Sequence, residues 1–108
     1  MRIFQFLIAN SLFLIYYVAM NAIITVVGSD KVGIIAEVSA LLAKNKINIA
    51  DITQTILSGN FVMMMMVSLD EASISIDELR KILLAAGEEM GVEINVMSEK
   101  VFSSMNRI

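Results

Sequence analysis

The stretch Asn21–Leu42, "NAIITVVGSDKVGIIAEVSALL", changes its hydrophobic period halfway along, and the fold follows from that change. Asn21 to Val27 is dense in β-branched residues and stops at Gly28, which predicts a strand. From Gly33 onward Ile34, Ile35, Val38, Leu41 and Leu42 recur three and four residues apart, the spacing of one helix face. Ser29 or Asp30 is placed to cap the first amides of that helix. Lys44 and Lys46 near its end suit the helix dipole, and Asn45 is expected to take the left-handed conformation that closes it.

The same reasoning carries toward the C-terminus. Ile47 to Leu57 alternates in part and predicts a second strand; "SGN" (Ser58 to Asn60) is hairpin chemistry; Phe61 to Leu69 predicts a third strand. Ser75 and Glu78 form an S-x-x-E capping box, with Ile74 and Leu79 placed for a hydrophobic staple. The helix they open carries the stripe Leu79, Ile82, Leu83, Ala86 and Met90, and Gly91 ends it. Val92 to Ser98 predicts a fourth strand, and "EKVFSSM" a short last helix. The order is β-α-β-β-α-β. With right-handed crossovers it gives an α+β, ferredoxin-like sandwich: a four-stranded antiparallel sheet, two helices on one face, and a short C-terminal helix.

Met63 to Met66 lie in the third strand, where side chains alternate, so one pair faces the helices and the other the open side. The first strand, "AIITVV", offers no polar alternation, so the open face is expected to be apolar. A bare apolar sheet face needs a partner, and a homodimer that covers it or continues the sheet from an edge is the expectation.

Residues 1–19, "MRIFQFLIANSLFLIYYVA", differ in kind from residues 20–108 and hold one charge, Arg2. Three readings stay open: a mis-set start with translation beginning at Met20, a signal or membrane anchor, and a helix packed on the domain. The domain at 20–108 is expected in the cytoplasm, or membrane-anchored or exported if the leader is real.

Composition removes whole classes of chemistry. The 108 residues include no cysteine, histidine or proline. Thiol nucleophiles, disulfides, Cys/His zinc sites and Ser-His-Asp triads are all excluded. Acidic residues outnumber basic ones 11 to 8 with no basic cluster, which argues against a nucleic-acid partner. No catalytic residue, metal site or cofactor is expected. The first turn has no arginine or cysteine for the phosphate or metal chemistries known on this fold. Gly28 and Gly33 have P-loop spacing, but Ile34 and Ile35 stand where lysine and serine are needed.

What remains is a turn with exposed main-chain amides at a helix start, which suits the carboxylate of a small ligand. Its ammonium group would need an acceptor such as Asp30, Asp51 or the Asn48 side-chain oxygen. The opening of the second strand lies far from the first turn in this topology, so such a site is expected to be shared between chains.

These residues carry a resemblance. The segments "AIITVVG", "SDKVGIIAEVSALLAKNKINI" and "DITQTIL" resemble the ACT domain, the small regulatory module of amino-acid metabolism. Its D-[KR]-x-G turn corresponds to Asp30, Lys31 and Gly33, and its later N-I pair to Asn48 and Ile49. The chain is most similar to free-standing, single-domain bacterial members, and to a half of the glycine-cleavage-system transcriptional repressor. The resemblance implies an amino-acid ligand bound at the first turn through main chain near Val32, Gly33 and Ile34, with Asn48 and a neighbour supplied by a partner chain. It implies dimers and regulation of a metabolic enzyme or regulator, without catalysis. The alternative is a protein-interaction module that regulates a partner without a small ligand.

Overall fold

The computed structural model describes residues 21–29 and 33–105. The elements run β1 (Asn21–Ser29), α1 (Ile34–Lys44), β2 (Asn48–Leu57), β3 (Asn60–Ser68), α2 (Ile76–Met90), β4 (Glu93–Ser98) and α3 (Glu99–Met105). The sheet order is β2-β3-β1-β4, with every neighbouring pair antiparallel. This is the ferredoxin-like arrangement that the element order requires. The leader at 1–19, Asp30 as a cap, and the site residues Asp30 and Val32 lie outside the described residues.

The core forms between one sheet face and two helix stripes. Ala22, Ile24 and Val26 alternate along β1, and Phe61, Met63, Met65 and Val67 along β3; all are buried with Ile34, Val38 and Leu42 of α1 and Leu79 and Leu83 of α2. The methionine run divides as the pleat demands. Met63 and Met65 are 0% exposed, while Met64 on the other face is 41% exposed. Burying one such side chain contributes roughly 1.5–3 kcal/mol.

The helix ends show how sequence sets the element bounds. The Ser75 hydroxyl accepts from the Glu78 N–H at 3.2 Å, and the Ser75 N–H donates to Glu78 Oε1 at 2.9 Å, completing the capping box. Gly91 closes α2 at φ 75°. At the end of α1 the left-handed residue is Lys46, at φ 59°, and Asn45 sits at φ −100°. The expectation for Asn45 is corrected by its side chain: Nδ2 donates to Leu41 O at 2.8 Å, so Asn45 caps a carbonyl and the reversal falls one residue later. Ile47, expected within the second strand, precedes it; its N–H donates to Leu42 O at 2.9 Å and its side chain is buried in the core.

The open face departs from the expected apolar surface. Cross-strand partners share a face, and the rows on that side read Met97-Ile23-Met66-Asp51, Asn95-Thr25-Met64-Thr53 and Glu93-Val27-Val62-Thr55. Thr25 interrupts the apolar run of β1, and the two edge strands contribute mostly polar groups. The result is a narrow apolar strip between polar margins.

Candidate functional site

The first half of the expected site lies at the upper end of β1. Gly28 remains in the strand, where a Cβ would stand 2.6 Å from Val92 Cγ1. Its smallness lets β1 pass the chain entering β4. Ser29 is also in the strand, opposite Asn60, so it does not cap α1. The cap position belongs to Gly33, at φ 95° and ψ −4°, whose carbonyl accepts from the Glu37 N–H at 2.9 Å. Nothing lies within 4 Å of a Cβ built on Gly33. Among the described residues no side chain caps this helix. The amides of Ile34, Ile35 and Ala36, the donors that a helix start leaves over, have no partner among the described residues. Ile34 is buried as a side chain, so what it offers a ligand is its N–H.

The second half lies at the opposite end of the sheet. Ser29, Asn60 and Leu57 share one row, whereas Asn48 pairs with Ser68, which pairs with Asn21. Eight register steps at strand spacing separate the two ends by roughly 25 Å. One chain does not bring Asn48, Ile49 and Asp51 to the turn. A bulge at Ala50 also changes which residues point together, because Ile49 pairs with Val67 and Asp51 with the next residue, Met66. Asn48 and Asp51 consequently share the open face, and Ile49 points to the helix side. Asp51 Oδ1 accepts from the Ile52 N–H at 2.9 Å and leaves Oδ2 for another donor.

The edge carrying this second half is bare. All ten residues of β2 are exposed. On its helix side Ile49, Ile52 and Ile56, with Gln54 between the last two, form a largely apolar row that the helices leave exposed, Ile52 being 41% exposed. An uncovered edge strand with apolar side chains is a template for pairing with another strand.

Sequence reasoning missed a third feature. β1 and β3 are antiparallel, so the helices that follow them run antiparallel too, and the start of α1 lies at the same end as the finish of α2. A groove of about 940 Å³ runs between them from Gly33, floored by Ala36, Ala40, Leu41, Ile82, Ala85 and Ala86 and edged by Glu37, Glu88, Glu89 and Lys44. The available signal was Ala36, Ala40 and Ala85, which lie beside the apolar stripes and next to their members Leu41, Ile82 and Ala86.

Comparison with known proteins places this geometry in context. The family profile described as "ACT domain" matches residues 20–97. A UPF0237 protein of Clostridium acetobutylicum is 49% identical over 89 residues, spanning 82% of this chain and 100% of that protein. A solved ACT domain protein from Streptococcus pneumoniae superposes with a TM-score of 0.70 at 48% identity, covering 78% of this chain and 94% of the other. A structure assigned to a glycine cleavage system transcriptional repressor gives a TM-score of 0.64 at 24% identity, over 72% of this chain and 44% of that one, a likeness of fold alone.

Proposed function

The chain belongs to the ACT domain family, and from that premise we propose that residues 20–108 are a non-catalytic regulatory module that binds an amino acid as a cytoplasmic homodimer. The observation that carries this reading is the 25 Å-scale separation of the two half-sites in one chain. Antiparallel pairing of β2 with β2 of a second copy puts the opening of one strand at the end where the other copy has its turn. Since β3 lies between β1 and β2, α1 crosses over β3 on its way from β1 to β2.

In this arrangement one copy supplies Gly28, Asp30, Val32, Gly33 and Ile34, and the other supplies Asn48, Ile49 and Asp51. The orphan amides at the start of α1 receive the ligand carboxylate. Asn48 and Asp51 are the acceptors proposed for its ammonium group; both lie on the open face, so they reach it round the edge of the sheet. Binding would change assembly or partner choice only by the difference in affinity between the two states.

Thermal-shift titration with each of the twenty amino acids, alongside sedimentation to fix the oligomeric state, is the test. A ligand at a hundred times its Kd stabilises by about 2.7 kcal/mol, which is readily measured. A confirmed dimer that no amino acid stabilises at millimolar concentration contradicts the reading. A shared site has a further signature. Gly33→Val and Asn48→Ala homodimers should each lose binding, and mixing them should restore it, because a hybrid dimer retains one intact site.

A further inference from the structure

The groove between α1 and α2 lies outside the proposed shared edge and has its own chemistry. Its floor is apolar, made of four alanines with Leu41 and Ile82. Ala36 and Ala40 stand four residues apart on α1, and Ala85 and Ala86 face them from α2. Small residues at that spacing let another backbone approach closely. The length of α1, at 1.5 Å per residue, gives a trough of roughly 16 Å, about three helical turns.

The edges are electrostatically uncompensated. Among the described lining residues Glu37, Glu88 and Glu89 stand against one cation, Lys44. Among the described residues the one ion pair joins Arg80 to Asp77, so none of the three glutamates is neutralised there. Glu88 and Glu89 also sit in the last turn of α2, which holds no basic residue. Carboxylates at a helix C-terminus add to the negative end of the dipole and cost stability until a cation offsets them.

We propose that this groove docks a cationic amphipathic helix of a partner protein, with an apolar stripe of small side chains seated on the alanine floor and lysine or arginine residues reaching Glu37, Glu88 and Glu89. A helix laid in a groove uses anchors at i, i+3 and i+4 for affinity and its flanking charges for selection. The surface is separate from β2 and leaves the proposed dimer edge free, while its upper end reaches Gly33 of the proposed amino-acid site, so the peptide is titrated without amino acid present.

The probe is a fluorescein-labelled helical peptide of fourteen residues with an alanine/leucine stripe flanked by lysines, followed by anisotropy against the full chain. A control peptide carries glutamate in place of lysine and should not bind. Glu88→Lys/Glu89→Lys should weaken the lysine peptide at least about tenfold, since like charges facing each other across an interface cost more than 1.4 kcal/mol. Ala40→Phe, which fills the floor, should weaken it similarly, with circular dichroism confirming that the variant is folded. Glu71→Lys/Glu93→Lys, away from the groove, should have little effect. If that remote pair weakens binding as much as the groove pair, the attraction belongs to the general acidic surface and the proposal is overturned. It is equally overturned if the lysine peptide does not bind, or if neither groove variant changes its affinity.

Discussion

Gly28 and Gly33 are five residues apart and are glycine for different reasons. At Gly28 the constraint is space, because the missing Cβ would meet Val92 Cγ1 at 2.6 Å and the Val92 Cα at 3.3 Å. At Gly33 the constraint is φ, because the surroundings are open and the backbone is left-handed at 95°. The consequences of substitution therefore divide. Gly28→Ala is expected to lose about 1–3 kcal/mol, the usual cost of forcing extra volume into a packed site. Part of that loss should return in Gly28→Ala/Val92→Ala, where Cγ1 is gone while the Val92 Cβ, at 3.0 Å, remains. Urea unfolding of the two singles and the double measures the coupling. Additive losses would show that the contact with Val92 is not what requires glycine.

At the scale of elements, β3 gives the sharpest contrast. Its four consecutive methionines occupy two environments, so identical substitutions should act differently. Met65→Ala opens the core and should cost about 2–5 kcal/mol. Met64→Ala removes a half-exposed side chain from the open face and should cost under 1 kcal/mol, within the ordinary range for surface changes. Equal losses in thermal or urea unfolding would mean that the open face is packed in solution. The elements were legible in the sequence because local signals agreed: the change of period at Gly33, the Ser75–Glu78 box, and glycine at 59 and 91. The end of α1 was not, because two adjacent residues, Asn45 and Lys46, share the task of ending it. Asn45 satisfies a carbonyl, and a lysine accepts the left-handed turn. The Ala50 bulge was also invisible, since nothing in "NIADI" marks a residue that will go unpaired. That bulge decides the face on which Asp51 points, so the orientation of the candidate site could not be read even where its residues could.

At the scale of the whole molecule, the question is what completes the sheet. The two halves of the candidate site stand at opposite ends of one subunit, and β2 is the exposed edge that a second copy can use. Ile52 lies near the middle of that edge and is 41% exposed on the helix side. A two-fold interface repeats every contact, so one substitution acts twice. Ile52→Lys would place two like charges close to the axis, where facing cations destabilise strand pairing. The subunit itself should be little affected, by about 0.5 kcal/mol or less, because the side chain lies outside the core cluster. Sedimentation should then show Ile52→Lys as a folded monomer at concentrations where the unmodified chain is a dimer. The response to amino acids should vanish with the dimer, because neither subunit alone holds both half-sites. A dimeric Ile52→Lys would move the interface away from β2. A monomer that still binds an amino acid would locate the whole site within one subunit, and the sharing of Asn48 and Asp51 across chains would be wrong.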